Sequence, residues 1–292
     1  MRKVFLILPF AVLAAAFSAH AAFRGGDGRI AFAMGTGNVD VYTANPDGSN
    51  LKQLTTASGW DGCPAFSPDG KRIAFCSEQA GSSQIWLMNA DGSGQRQLSR
   101  SRHPAYFPAF SPDGRRIAFE SNDGGPAGYD IYVVSARGAK ITRLTGAPGD
   151  DEFAAFSPNG KSIAFVSHRK VGPAQIWLMN AADGRHQRQL THDSAGKDER
   201  PDWSPDGKQI AYVASGNIWV MNADGTAQRT VTQGPAYDFA PAWSPDGKKI
   251  TFVRVVGPLK QVYVMNADGS GLHVLLRSKV RQLTPSWQPI KG

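Results

Sequence analysis

One phrase recurs along this chain and constrains it more than any other feature. Ser-Pro-Asp-Gly, always after an apolar residue, stands at Ser67–Gly70, Ser111–Gly114, Ser204–Gly207 and Ser244–Gly247, and Ser157–Gly160 carries Asn159 in place of the Asp. The starts are 44, 46, 47 and 40 residues apart. A degraded sixth copy is Trp287-Gln288-Pro289, 44 residues after Trp243-Ser244-Pro245. A period near 45 residues signals an array whose units each bury an apolar face on their neighbours.

Each copy keeps one internal order. A short apolar segment follows the turn: Ile73-Ala74-Phe75, Ile117-Ala118-Phe119, Ile163-Ala164-Phe165, Ile210-Ala211-Tyr212 and Ile250-Thr251-Phe252. Next comes a polar-aliphatic-aromatic triplet, as in Gln84-Ile85-Trp86 or Asp130-Ile131-Tyr132, then a turn such as Asn89–Gly92. A more polar segment closes the unit, ending in Leu54-Thr55, Leu98-Ser99, Leu190-Thr191 or Val231-Thr232. β-Branched and aromatic residues suit half-buried strands. In the turn, Pro presets φ and Gly supplies a positive φ. Four short strands, six times over, predict an all-β, six-bladed β-propeller of four-stranded antiparallel blades. The chain enters at a second strand, Ile30-Ala31-Phe32, and leaves after a first strand, Pro285-Ser286-Trp287. The C-terminal strand is therefore expected to complete the first blade and close the ring.

The leading residues do not join the repeat. Arg2 and Lys3 precede an apolar run, Val4–Phe17, and Ala19-His20-Ala21 follows as a small-x-small cleavage signal. This pattern predicts a secretory signal peptide over 1–21 and a single propeller domain over 22–292. The run is short for a bilayer span, so no transmembrane segment is expected after cleavage. The product is expected to be a periplasmic or secreted monomer. The apolar fraction of 41% excludes a disordered chain. A net charge of +8 raises nucleic acid as a partner. The cations answer otherwise: Lys71, Arg115, Lys161, Lys208 and Lys248 each follow a turn and track the repeat, so no nucleic-acid partner is expected.

The pattern Pro-x-Trp-Ser-Pro-Asp-Gly-Lys-x-Ile-Ala-Phe, matched at Pro241–Phe252 and Pro201–Tyr212, with Ile-Trp-Leu-Met-Asn at Ile176–Asn180, resembles the TolB-like propeller family. The resemblance runs over roughly residues 28 to 289. It implies a propeller that docks another envelope protein on one face. Similar propellers cap prolyl-oligopeptidase-type peptidases and form the body of metal-dependent oligogalacturonate lyases, and fold alone does not choose among these. TolB itself places an α/β domain before its propeller, whereas this repeat begins near the predicted cleavage site. The resemblance therefore implies only the propeller's share of a role in the Tol–Pal envelope system. The chain lacks the Gly-x-Ser-x-Gly elbow of a serine hydrolase.

Subtracting the repeat leaves the loops that enter the first strands and those that join second to third strands, all on one face. Three residues before each first-strand Pro, or its equivalent, stand Asp61, Ala105, Asp151, Asp198, Asp238 and Gln282. Crowded carboxylates repel and are relieved by a cation or a basic group. The expectation is an acidic channel mouth in which Asp151, His192, Asp198 and Asp238 are the candidate ligands of a divalent cation, the one cofactor the site suggests. The plainer alternative is loop carboxylates that are solvated or cap nearby backbone. Trp60, Tyr106, Phe107, Tyr129, Phe153, Tyr237 and Phe239 also lie outside the repeat pattern and flank the mouth. Exposed aromatics beside charge resemble interface hot spots. The candidate partner-binding set is Trp60, Asp61, Tyr106, Asp151, Asp198, Tyr237 and Asp238, with no catalytic residue assigned. Cys63 and Cys76 flank one hairpin and are a candidate disulfide in an exported protein. The favoured function is a protein-binding scaffold in the cell envelope or outside the cell. The alternative is a metal-dependent enzyme of the oligogalacturonate-lyase kind, or a glycan or small-ligand binder, using the central channel.

Overall fold

The computed structural model describes residues 24–124, 128–138, 140–170, 172–192 and 198–290, with Asp198 described in its backbone alone. Among the described residues every regular element is a strand, and the strands form six four-stranded antiparallel sheets. We number these blades 1 to 6. Blade 1 takes Gly26–Gly35, Val39–Ala44 and Lys52–Gln53 from one end of the chain and Arg281–Ile290 from the other. Trp287 pairs with Ile30 across that seam, so the ring closes as the repeat predicts. The innermost strands of blades 2 to 6 are Asp61–Phe66, Ala105–Phe110, Asp151–Phe156, Asp198–Trp203 and Asp238–Trp243. No helix is long and apolar enough to cross a membrane among the described residues.

The Ile-Ala-Phe segments are the second strands, and all three residues are buried in blades 2, 3 and 4. The small residue has a reason: Ala74 pairs with Ala65 and Ala118 with Ala109, where a larger side chain would force the blades apart. The Phe stands opposite the aromatic of the third strand. Phe119 and Tyr132 stack at 5.8 Å, and Phe252 and Tyr263 at 6.0 Å. Such pairs add about 0.5–1.5 kcal/mol beyond the area they bury.

The Ser-Pro-Asp-Gly turn is held from within. The Ser67 hydroxyl donates to Asp69 at 2.6 Å and accepts the Arg72 amide at 2.9 Å, while the Lys71 amide donates to the same carboxylate at 3.1 Å. Gly70 has φ 67°, which only glycine adopts freely. The Leu-Thr ending is equally mechanical. The Thr55, Ser99, Thr145, Thr191 and Thr232 hydroxyls each accept the buried amide of the third-strand aliphatic residue, at 2.8–3.0 Å. Blade 6 has Leu276 there, and Gln282 of the neighbouring blade accepts the Val262 amide at 3.0 Å instead.

Candidate binding face

Every innermost strand carries a β-bulge at one level of the channel. The bulged residues are Cys63, Phe107, Phe153, Arg200, Ala240 and Thr284, with φ between 49° and 59°. None is glycine, so each costs on the order of 1 kcal/mol or more in backbone strain. Bulges re-aim side chains, and here they assemble a stopper across the mouth of the irregular face. The Phe107 and Phe153 rings meet edge to face at 4.8 Å. The Arg200 guanidinium lies 4.6 Å from the Phe153 ring and 5.7 Å from Phe239, and the Lys260 ammonium lies 5.4 Å from the same Phe239 ring. Arg200 is only 5% exposed, and burial pulls its pKa down to about 10 against the opposing pull of Glu199, Tyr237, Glu120 and Glu152.

Beneath the stopper the second strands supply acceptors for the strained bulges. Cys76 Sγ accepts the Phe107 amide at 3.3 Å, and Glu120 Oε2 accepts the Phe153 amide at 3.0 Å. Burial and the neighbouring Glu152 push the Glu120 carboxyl well above the usual range. Glu152 is itself 3.3 Å from His168 Nε2. Cys63 and Cys76 are buried side by side as free thiols. Cys76 pairs with Gly62, and the bulge sets Cys63 one step on, in the left-handed region, with its side chain against that of Cys76.

The strand-start carboxylates Asp61, Asp151 and Asp238 are all buried. Asp151 is fully buried and takes Arg169 at 2.7 Å. Asp238 accepts Arg254 twice, at 2.6 and 2.7 Å, and that guanidinium lies over Phe252 and Tyr263. Asp61 is buried too. Desolvation raises its pKa against the Ser77 and Thr55 hydroxyls that hold it. Both arginines come from the same blade as their carboxylate, Arg254 directly opposite Asp238 and Arg169 two residues past Ser167, which is opposite Asp151. Asp151 and Asp238 are thus paired with arginines and Asp61 is held by hydroxyls, while one oxygen each of Asp61 and Asp151 is buried without a hydrogen-bond partner. His192 is exposed, the side chain of Asp198 lies outside the described residues, and no group of three or more His, Cys, Asp or Glu suited to a metal occurs among those described.

The aromatic candidates divide. Trp60 is half-buried, with its indole laid over Gly62, where an added Cβ would sit 2.3 Å from Trp60 Cζ2. Tyr106 is half-buried 6.3 Å from Tyr129, and desolvation pushes its phenol up to about 12. Tyr237 is 48% exposed and rests on Phe239 at 5.6 Å. Sequence reasoning missed Arg200, Lys260 and Glu120. A signal for Arg200 was present, since the other five bulges carry uncharged residues. On the opposite face a cavity of about 890 Å³ opens among the turns, lined by Asp69, Arg72, Asp113, Pro158, Trp203 and Asp206.

Six closed blades with a stoppered mouth define a six-bladed propeller whose irregular loops lie on one face. The TolB beta propeller domain family matches residues 12–107, 94–217 and 186–291, and the chain belongs to that family. The protein called TolB homolog of Chlorobium luteolum is 42% identical over 48 residues, 16% of this chain and 11% of that one. Dipeptidyl-peptidase 5 of Porphyromonas gingivalis is 47% identical over 45 residues, 15% of this chain and 7% of that one. The matched stretches thus span about a tenth or less of those relatives. Among solved structures, TolB from Acinetobacter baumannii superposes with a TM-score of 0.77 at 25% identity, covering 90% of this chain and 67% of that one. Hydrazine synthase from Kuenenia stuttgartiensis has a TM-score of 0.76 at 17% identity, over 92% of this chain and 48% of that one, a likeness of fold alone.

Proposed function

We propose that this chain is an exported propeller that binds a protein partner across its irregular face. One observation carries the reading. The Phe107–Phe153–Arg200–Phe239–Lys260 stack spans the mouth on residues that the repeat does not require, beside an exposed Tyr237. The bulge recurs in every blade, but it carries a buried charge only at Arg200, and such costs concentrate where function needs them. The half-buried Trp60 and Tyr106 extend the same apolar surface toward blades 2 and 3. Similarity to TolB supports a partner in the cell envelope, and the leading segment supports export with cleavage after Ala21.

The test is a photo-crosslinking amino acid placed in turn at Tyr237, on the irregular face, and at Lys208, on the turn face, in the source cells. A discrete crosslinked protein from Tyr237 that is lost on Trp60→Ala and Tyr106→Ala supports the reading. A product from Lys208 alone would move binding to the turn-face cavity. Mass measurement of the exported form checks the cleavage site.

A further inference from the structure

The turn face breaks its own repeat at one place. The turn from third to fourth strand carries Asp47, Asp91, Asp183, Asp224 and Asp268 in blades 1, 2, 4, 5 and 6. Each of these carboxylates accepts the backbone amide two residues on, at 2.9–3.0 Å. Blade 3 reads Ser135-Ala136-Arg137-Gly138 in the same turn, so a cation stands where the other five hold a carboxylate. Arg137 is exposed, and its amide donates to the Ser135 hydroxyl at 3.2 Å instead. A turn that the scaffold closes with Asp five times does not need an arginine, and local departures of this kind mark function.

Blade 2 sends two more guanidiniums to that corner. Arg72 crosses the seam, lies 5.6 Å from the Phe110 ring and donates from Nη2 to the Gly114 carbonyl at 3.1 Å. Arg96 donates from Nη2 to the Ala136 carbonyl at 2.6 Å. Arg115 and Arg137 directly follow those two carbonyls, and the Ala136 amide donates to the Arg115 carbonyl at 2.8 Å, which ties the two turns of blade 3 together. Arg72, Arg115 and Arg137 line an open pocket of about 600 Å³ with Asp113, Ser135 and Ala136, and Arg96 reaches its wall at Ala136. That volume suits a small ligand. Asp113 is the only carboxylate of the lining, and the Ser111 hydroxyl and Arg115 amide engage it. Among the described residues none of the four arginines has a carboxylate within ion-pair distance, whereas Arg185, Lys208 and Lys248 on the same face lie 3.8–3.9 Å from the Asp of their own turn.

We propose that Arg72, Arg96, Arg115 and Arg137 form a phosphate-binding site on the turn face, which takes a phosphate monoester carried on a polar group. The guanidinium fork matches phosphate oxygens two at a time, through charge-assisted hydrogen bonds. Like charges without counter-ions repel, and the near-dianion of a monoester relieves more of that repulsion than a carboxylate does. Ala136 is the one apolar side chain of the lining, so the group that bears the phosphate is a polar one. A soluble phosphoester and a lipid headgroup both present that chemistry. The site lies on the face opposite the partner surface proposed above and stands or falls without it.

The test needs no partner. Glycerol phosphate is titrated calorimetrically into the mature protein, with glycerol as the uncharged control, and the protein is sedimented with phosphatidylcholine vesicles with and without phosphatidic acid. One double variant, Arg115→Gln with Arg137→Asp, removes two of the four cations, the second change restoring the residue that the other blades carry. Neither side chain makes a hydrogen bond or ion pair among the described residues, and the glycerol arm tests the idea on the unaltered protein. Lys208→Gln with Lys248→Gln is the control on the same face. A saturable response to glycerol phosphate and none to glycerol, with a Kd weaker by roughly tenfold or more in the arginine variant and unchanged in the lysine variant, is expected and assigns a soluble phosphoester. Sedimentation with phosphatidic acid that only the arginine variant loses, without a response to glycerol phosphate, assigns a lipid headgroup to the same site. Equal response to glycerol and its phosphate, no binding of either phosphate probe, or equal losses in the two double variants would each overturn the proposal.

Discussion

Replacing Asp238 by Ala is the sharpest probe of whether the strand-start carboxylates are scaffold or contact surface. Asp238 is 1% exposed, and the Arg254 side chain is 14% exposed. Two hydrogen bonds of 2.6 and 2.7 Å join them. Removing one partner of a buried ion pair costs about 3–5 kcal/mol, because the other charge stays desolvated and unpaired. The guanidinium is not fully buried and keeps its place over Phe252 and Tyr263. Those contacts offset on the order of 1 kcal/mol. The expected loss is about 2–4 kcal/mol, which for a ring of this size lowers Tm by roughly 5–15 °C. Arg254→Ala in the same background should recover part of that, with a coupling of about 1.5–3 kcal/mol between the two sites. Urea unfolding of wild type, both single variants and the double variant, followed by fluorescence and circular dichroism, reads the cycle directly. Additive single effects, or a loss below about 1 kcal/mol for Asp238→Ala, would refute the argument. Asp238 would then be a solvated carboxylate, free to meet a partner.

Four further outcomes follow from the same geometry. Thr232→Val leaves the buried Ile218 amide without its 2.9 Å acceptor and should cost about 1–3 kcal/mol, whereas Thr232→Ser should cost less; equal stability of the two variants would contradict this. Burial raises the Glu120 pKa, so its protonated form favours the fold below the ordinary value of about 4.3, and that contribution is lost as pH rises. Glu120→Gln keeps an acceptor for the Phe153 amide and should gain on wild type in melts run from about pH 4 to pH 8; a flat difference would dispose of the raised pKa. Gly62→Ala drives a Cβ into the Trp60 indole and should red-shift the emission of a variant retaining Trp60 as its reporter, with no shift meaning that the ring does not lie there. Both thiols should resist Ellman's reagent in the native protein and react fully once it is unfolded without reductant, whereas silence after unfolding would mean that Cys63 and Cys76 are bonded.

The sequence by itself determined the ring. Repeat spacing, turn chemistry and strand composition are local, and each copy restates them, so Ser-Pro-Asp-Gly and Ile-Ala-Phe were legible without any tertiary contact. The loops that reach the mouth were legible too, because they were what remained after the repeat. What their side chains do there was not. Whether a strand-start Asp stays solvated at the mouth or is buried against a partner depends on where that partner lies. Arg169 and Arg254 reach Asp151 and Asp238 only because antiparallel register places Ser167 and Arg254 opposite them. The bulges are the same kind of fact. Only the paired structure shows that Arg200, uncharged in its five counterparts, sits in left-handed backbone among Phe153, Phe239 and Lys260. Those residues come from three blades. Their meeting is a property of the closed ring and of the longer blade 6 hairpin that carries Lys260, which no window of the sequence contains.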